Sequence, residues 1–280
     1  MPMDILAFTM LICFGSVVAG FLGSLTGLGG GVVIVPLLTL VFGVDIRYAI
    51  GASLVSVIAT SSGAAAAYVK EGFSNIRIGM FLEIATTLGA LVGAFWAAHL
   101  PTSTIAIIFG VILLYSSYLS SRQQKRRKDV DRPDSLATLL KMDGTYPTSR
   151  GLEHYHAHSV PSGFGLMFLA GSISGLLGIG SGAVKVLAMD QMMRIPFKVS
   201  TTTSNFMIGV TAAASAGVYL NRGYIDPGLA MPVMLGVLIG SFMGTHELMV
   251  AKTHRLRIIF SSIILLLAIE MIYNGLTKRI

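Results

Sequence analysis

A lysine inside an apolar stretch is the strongest chemical signal in this sequence. Lys185 lies three positions after Gly182, among apolar residues that continue to Met189. A charged side chain in the hydrocarbon layer of a membrane costs several kcal/mol unless it is paired or hydrated, which makes it a functional candidate. We expect Lys185 to supply positive charge to a bound anion. The alternative is a structural lysine that is neutralised by Asp190 or whose amine reaches the membrane interface.

Two glycine-rich clusters interrupt apolar stretches, and a short apolar segment follows each of them. They are Gly27-Leu28-Gly29-Gly30-Gly31 and Gly178-Ile179-Gly180-Ser181-Gly182. Backbone groups freed by such a break cannot face lipid, so they are buried in protein or line a wet cavity. Glycine lets a ligand approach the backbone, and N–H groups at the start of a half-helix attract anions. We expect a substrate-binding site there, formed by Gly29, Gly30, Gly31, Gly180, Ser181 and Gly182. Close helix packing is the alternative.

Polar residues on other apolar segments are candidates to complete this site. Ser53, Ser204 and Asn205 lie in hydroxyl-rich stretches, and their side chains can donate hydrogen bonds to an oxyanion. Hydroxyl groups also bond to the carbonyl one turn back in ordinary transmembrane helices, which is the competing interpretation. Glu83 interrupts another apolar run and is a candidate for proton coupling.

Other residue types give little support for enzymatic chemistry. His154, His156 and His158 occupy alternate positions, which would share one face of a strand and could ligate a metal. A fourth ligand is not obvious, so we expect a solvent-facing strand and no metal site. The single cysteine, Cys13, excludes an intramolecular disulfide. The sequence has no recognisable nucleophile, acid–base pair or nucleotide-binding loop, so we expect neither catalytic residues, nor a cofactor, nor an ATP-driven pump.

The composition of the 280-residue chain is that of an integral membrane protein. Hydrophobic residues make up 54% and charged residues 12%, and the mean hydropathy is +0.77. In soluble domains charged residues approach about a quarter of the chain. The net charge of +7 would favour nucleic-acid binding in a soluble protein, but here Lys and Arg lie mainly between apolar segments, where they set membrane topology. We therefore expect a lipid bilayer as partner and no nucleic acid.

Ten apolar segments define the predicted architecture, five on each side of a polar stretch. They span roughly residues 5–25, 32–42, 48–69, 78–98, 105–119, 164–177, 183–193, 199–220, 229–250 and 256–272. Segments near 20 residues can cross a hydrocarbon layer of about 30 Å. The second segment of each half has only about 11 residues, or about 16 Å of helix, and is predicted to be a half-helix. The predicted fold is an all-α polytopic membrane protein, with a first repeat at 1–121, a connecting loop at 122–160 and a second repeat at 161–280.

An internal duplication relates the two halves. Gly20 corresponds to Gly171 and Ser53 to Ser204, each pair 151 positions apart, without a gap. Such repeats are typical of secondary transporters. The distribution of Lys and Arg favours five crossings per repeat, which inverts the second copy, over four crossings, which would not. The central loop is then cytoplasmic, and both termini lie outside. At matched positions, Arg47 and Lys198 would attract anions to the site or anchor the chain at the interface.

The pattern around the first glycine cluster resembles the signature of the sulfite exporter TauE/SafE family. The resemblance rests on segments 20–36 and 170–186, the Ala-x-x-x-Ser motif at 49–53, its counterpart at 200–204 and a Gly-x-Tyr insertion at 144–146. It implies a multi-pass transporter that moves sulfite, thiosulfate or an organosulfonate, commonly outward. Ser181 replaces the middle glycine, and Leu187 replaces the proline found at Pro36. The second half-helix is therefore expected to begin differently, and Lys185 to compensate.

Together these observations predict a secondary transporter in the plasma membrane that binds a small sulfur-containing anion between the glycine breaks. Sulfite and organosulfonates such as sulfoacetate are the expected substrates, moved outward by alternating access. The alternatives are an anion channel of the same fold or, from another class, a metal-dependent membrane enzyme or sensor that uses the three histidines. Glycine-lined helix faces are also compatible with contacts between two copies of the chain in a homodimer.

Overall fold

The computed structural model describes residues 5–26, 30–70, 74–121, 134–148, 151–250 and 253–278 of the chain. The helices of the first half are α1 (Ile5–Thr26), α2 (Gly31–Pro36), α3 (Ile46–Lys70), α4 (Ile76–Ala97) and α5 (Thr102–Ser121). Those of the second half are α7 (Val160–Leu177), α8 (Gly182–Leu187), α9 (Phe197–Asn221), α10 (Pro227–Val250) and α11 (Thr253–Leu276). Between the halves lie α6 (Ser135–Leu139) and a hairpin of β1 (Gly144–Thr148) and β2 (Gly151–Tyr155). The fold is all-α apart from this hairpin.

Each short helix, α2 and α8, continues into a π-helical turn, at Leu37–Val41 and Ala188–Met192 respectively. Pro36 ends α2 and cannot donate the helical hydrogen bond, which would explain a widened turn after it. Leu187 ends α8, however, and the same widened turn follows. A proline is therefore not required for the π-helical turn.

The helices of the two halves correspond in their bounds. Equivalent helices begin at Gly31 and Gly182, Ile46 and Phe197, Ile76 and Pro227, and Thr102 and Thr253. Each pair is separated by the 151 positions of the duplication. The second half-helix is expected to begin differently from the first, but both begin at equivalent residues, so that expectation is wrong for the helix bounds. Only the residues just before the helices differ in conformation, since Gly30 has a helical φ of −61° and Ser181 a left-handed φ of 45°.

Contacts between the halves are reciprocal. Helix α1 packs against α10 and α4 packs against α7, which are equivalent pairs, while α3 packs against α9 and α5 against α11. Glycines permit this closeness: a Cβ added at Gly171 would overlap the carbonyl oxygen of Thr86, and one at Gly20 that of the equivalent Val237. Other glycines in such contacts are Gly89, Gly93, Gly175, Gly236 and Gly240. These glycines therefore have a packing role, and inversion of the second repeat stays a prediction.

Two helices in the described ranges, Ile76–Ala97 and Val160–Leu177, have the length and apolar composition to cross a membrane. Shorter apolar helical stretches are Leu6–Leu22, Gly31–Val41, Ile46–Ser62, Thr102–Tyr118, Pro227–Met243 and Ser262–Leu276. Large apolar side chains also point outward, with Phe14 exposed by 70% and Phe242 by 83%. Extended apolar surface of this kind is typical of a protein covered by lipid or partners. The number of crossings stays a prediction.

The central hairpin is attached to the helices through Asn75. The strands are antiparallel, with Gly144 opposite Tyr155. The Asn75 side-chain amide donates to the Tyr155 hydroxyl at 2.7 Å and to the Met142 carbonyl at 3.2 Å. Its backbone N–H donates to the Thr203 hydroxyl at 3.0 Å. One asparagine therefore joins the insertion, the start of α4 and the first turns of α9.

The three histidines do not share a strand face, so that expectation is wrong. Strand β2 ends at Tyr155, because this side chain turns inward onto Asn75, and only His154 lies in the strand. His156 instead approaches Asp143, at 3.3 Å between Nδ1 and Oδ1. In the part of the chain that the structure describes, no three His, Cys, Asp or Glu residues are grouped to hold a metal ion.

Candidate functional site

Lys185 on α8 is completely buried. Its Nζ donates a hydrogen bond of 2.6 Å to the hydroxyl of Thr211 on α9, and its exposed fraction is 0%. The alternative in which the amine reaches the membrane interface is therefore wrong. The structure also links Lys185 to a different carboxylate from the neighbouring Asp190.

That carboxylate is Glu83 on α4, and Thr211 connects it to Lys185. The Thr211 hydroxyl donates to Glu83 Oε1 at 2.7 Å, and Thr87 donates to the same oxygen at 3.1 Å. Glu83 is 7% exposed. Its other oxygen, Oε2, is buried without a hydrogen-bond partner among the residues that the structure describes. The result is a hydroxyl-bridged pair of opposite charges, closed off from water, with one acceptor atom unused.

This bridged pair can respond to both an anion and a proton. An oxyanion that binds the ammonium group competes with Glu83 for the same charge, and a proton on the carboxylate removes that competitor. Removing only one charge leaves the other buried without compensation, which is strongly unfavourable. If an anion and a proton bind at this pair, electrostatics couples the two binding events.

Sequence reasoning selected Lys185 and Glu83 separately but missed Thr211. The available signal was its position seven residues, or two helical turns, after Ser204, which puts both side chains on one face of α9. Thr211 lies in the interior, with 0% exposure, although many hydroxyl-bearing residues on the same helix also do. Nothing in its spacing alone distinguishes a charge-bridging hydroxyl from one bonded to its own helix.

The two glycine breaks meet beside α3. Ser53 donates to the carbonyl oxygen of Gly178 at 2.8 Å. A Cβ added at Gly31 would lie 2.6 Å from Ser53 Oγ and 2.9 Å from that same Gly178 oxygen, so this position has room only for glycine. Gly178 and Gly180 have φ of 68° and 70°, which favours glycine at both positions. The two glycine breaks are therefore adjacent at the start of α2.

The remaining predicted site residues are only partly brought together. Ser204 donates to the Gly182 carbonyl oxygen at 3.3 Å. Ser181 is buried, and its hydroxyl has no hydrogen-bond partner within the described ranges. Gly30 is buried, but its nearest neighbour is Val237 on α10, which is a packing contact. Asn205 is half-buried and forms no hydrogen bond with these groups in the described part of the chain. The predicted Gly29 lies outside the described residues.

Helices α8 and α9 join the glycine breaks to the charged pair. Helix α8 begins at Gly182 and carries Lys185 in its first turn, while α9 carries both Ser204 and Thr211. The candidate site therefore has two adjoining parts. One part is rich in hydroxyl and carbonyl groups, and the other contains the buried charges.

A buried charge pair at paired glycine breaks, on a duplicated helical scaffold, is consistent with a membrane transporter. The family model described as Sulfite exporter TauE/SafE matches residues 12–271. The chain belongs to the sulfite exporter TauE/SafE family.

Similarity to known proteins extends along almost the whole chain. The probable membrane transporter protein YunE of Bacillus subtilis (strain 168) is 26% identical over 278 residues, which covers 97% of this chain and 99% of that protein. The probable membrane transporter protein MJ0441 of Methanocaldococcus jannaschii is 25% identical, with 96% of both chains covered. Sulfite exporter TauE/SafE family protein 5 of Arabidopsis thaliana is 29% identical over 117 residues, 40% of this chain and 25% of that protein. No solved structure matches the chain.

The family and the named relatives support a membrane transporter rather than an enzyme. The matched region spans both halves and the central insertion, so it includes both glycine breaks and the bridged charge pair. The substrate and the direction of transport are separate questions, which the chemistry of the site addresses.

Proposed function

We propose that this protein is a secondary transporter in the cell membrane, which exports a small sulfur-containing anion by alternating access. Sulfite and organosulfonates such as sulfoacetate are the proposed substrates. The observation that carries the proposal is the complete burial of Lys185, which lies on the helix that follows a glycine break. Its ammonium group is hydrogen-bonded to Thr211, which in turn is hydrogen-bonded to Glu83. Membership of the TauE/SafE family supports the same substrate class.

The anion is proposed to bind between Lys185 and Ser181. These residues are four positions apart, so one turn of α8 separates them, and the backbone N–H of Lys185 donates to the Ser181 carbonyl oxygen. The hydroxyl of Ser181 is buried and has no hydrogen-bond partner among the described residues, so it can donate to an oxyanion oxygen. Ser53 and Ser204, which now donate to carbonyl groups in the breaks, are further donors. Because Lys185 has no exposed surface, the helices around α8 must separate to admit the anion.

Glu83 is proposed to carry the coupled proton. Protonation of its carboxylate releases the ammonium group of Lys185 for the anion, so that proton and anion move together without leaving a buried net charge. The titratable groups on the elements packed around Glu83 are few. Helix α7 has none, α8 with its π-helical turn has Lys185 and Asp190, and α9 has Lys198 and Tyr219 near its ends. Lys185 is the one bonded to Glu83 through Thr211.

Reconstitution into liposomes tests the proposal. The parent protein should take up radiolabelled sulfite or sulfoacetate with saturable kinetics and show counterflow, which a channel does not. Lys185→Met should abolish this uptake, because the anion loses its cation. Lys141→Met is the matched control, since Lys141 is exposed in the central insertion. Equal uptake by Lys185→Met and the parent would refute the assigned role of Lys185.

The proton-coupling role is tested separately with Glu83→Gln. An imposed pH gradient should drive concentrative uptake by the parent but not by this variant, which should still exchange anion for anion. If Glu83→Gln kept the pH dependence of the parent, Glu83 would not be the proton carrier. Flux that never saturates and never accumulates substrate would instead assign the protein as an anion channel.

A further inference from the structure

A second concentration of positive charge lies far from Lys185. Arg47 in the first turn of α3 and Arg222 just after α9 line one shallow concavity together with Tyr219 and Tyr224. In this conformation it is too narrow for a water molecule, so these side chains must move apart to admit a ligand. Arg222 follows Thr211 by eleven positions, which is about 16 Å along a helix. The concavity is therefore distinct from the bridged charge pair. Its remaining lining residues are Ala94, Ala97, Ala98 and Val218.

Arg47 lines this concavity with only part of its guanidinium group hydrogen-bonded. Its Nη2 donates to the Leu100 carbonyl oxygen at 3.0 Å, and its guanidinium carbon lies 5.6 Å from the centre of the Tyr224 ring. Its Nε is buried and has no acceptor among the residues that the structure describes. A buried N–H of a charged group without an acceptor is unfavourable, and a bound oxyanion would satisfy it.

Arg222 lies at the exposed rim. Its guanidinium carbon lies 5.5 Å from the centre of the Phe95 ring, and the residue is exposed. The acidic residues of the adjacent segments have other roles. Asp45 accepts the backbone N–H of Arg47 at 2.8 Å, and Asp226 accepts that of Gly228 at 2.8 Å. Neither arginine forms a salt bridge with a carboxylate within the described ranges.

We propose that the concavity is a second oxyanion site, in which Arg47 and Arg222 bind the sulfonate or sulfite group before it enters or after it leaves the central site. Guanidinium groups match the geometry of such oxygens, and alanine and tyrosine side chains offer apolar contact to the carbon part of an organosulfonate. The identity of the anion rests on the proposed function, but the site itself does not. The same chemistry would also accept the phosphate of an anionic lipid.

Anion binding to the purified full-length protein tests the site. The background variant is Lys185→Met with Glu83→Gln, which removes the central charges as a pair. Its melting temperature in neutral detergent is measured during titration with sodium methanesulfonate at constant ionic strength, balanced with chloride. A ligand that binds only the folded state raises this temperature. Two further variants are compared in that background: Arg47→Gln with Arg222→Gln, and the charge-matched control Arg77→Gln with Arg194→Gln, whose side chains are exposed.

We expect methanesulfonate to stabilise the background and the control alike, and its apparent Kd to rise at least about tenfold in the Arg47/Arg222 variant, since each lost bidentate partner weakens the binding. Equal Kd values in all three proteins, or no stabilisation of the background, would overturn the proposal. If the double variant does not fold, Arg222→Gln alone provides the same comparison, because this side chain is exposed.

The lipid source is distinguished in nanodiscs. Stabilisation by methanesulfonate in pure phosphatidylcholine supports a site for soluble anions. Stabilisation that requires phosphatidylglycerol, and that Arg47→Gln with Arg222→Gln removes, would assign the site to lipid phosphate and overturn the proposal. The proposed function has a separate test. If Lys185→Met transported as well as the parent in liposomes, the proposed role of Lys185 would be refuted, while the binding results for the second site would be unaffected.

Discussion

The bridged charge pair predicts strong coupling between Lys185 and Glu83 in stability. Lys185→Met leaves the Glu83 carboxylate buried at 7% exposure with hydroxyl partners only, and Glu83→Gln leaves the ammonium group of Lys185 equally uncompensated. Breaking a buried pair in this way costs about 3–5 kcal/mol for either single change. The double variant removes both charges, and replacing a whole pair by neutral groups is often close to neutral. We therefore expect a coupling energy of about 6 kcal/mol or more, because the two single costs add up while the double variant costs little.

The assay is a double-mutant cycle on the free energy of unfolding, measured by urea titration in a non-ionic detergent at constant pH. We expect the parent and the double variant to have similar free energies of unfolding. Both single variants should have much lower values. Additivity of the two single changes within about 0.5 kcal/mol would show that the groups do not interact and would refute the assignment of a pair. Transport by the same four proteins gives the complement: the double variant should be folded but inactive, because it lacks the cation for the anion.

Three further predictions concern single contacts. Thr211→Val should lower the free energy of unfolding by about 3 kcal/mol, because it removes hydrogen bonds to two charged groups, whereas Thr211→Ser should stay near the parent. Gly171→Ala should cost about 1–3 kcal/mol and lower the melting temperature, since its methyl group would overlap backbone of α4, and Gly165→Ala on the same helix, with open space around it, should not. Burial raises the pKa of the Tyr155 hydroxyl above its ordinary value of 10.0, so stability should fall as the pH rises above about 10 in the parent but less in Tyr155→Phe, as measured by urea unfolding between pH 8 and 11.

Local features of this chain were predictable, because each depends on neighbouring residues. The apolar stretches located the helices, and glycine clusters located the two breaks that Ser53 and Gly31 bring together. Lys185 stood out because a cation in an apolar run always demands compensation. The compensating Glu83 lies on a helix of the other half, and hydrophobic periodicity reports only which face of one helix is buried.

The central insertion shows the same limit. Alternation of histidines predicted one strand face, but the strand ends where Tyr155 meets Asn75, a residue of the first half. The chain then leaves the sheet, and Asp143 accepts the backbone N–H of Ala157 at 3.2 Å. A tertiary contact of one side chain therefore sets the strand end, and spacing within the strand contains no information about it.

The duplication explains why the scaffold is symmetric while the chemistry is not. Helix bounds and glycine contacts recur 151 positions apart, so both halves provide the same close packing. The bridged charge pair occurs once, from Lys185, Thr211 and Glu83. The corresponding residues of the repeat are Ile34, Thr60 and Met234. There the threonine donates to the carbonyl oxygen of Ser56, one turn back in its own helix, and it has no charges to bridge.

With a single charged pair, the proposed central site would hold one anion. Two equal halves that share one site can move against each other around it, which is how repeat-built carriers expose a site alternately to either side. Placing Lys at position 34 together with Glu at position 234 would rebuild the pair around Thr60. If the reciprocal packing of the halves determines the geometry of the site, Ile34→Lys with Met234→Glu should destabilise the protein less than the sum of the two single changes. Additive costs would show that the equivalent backbone positions do not bring these side chains into contact.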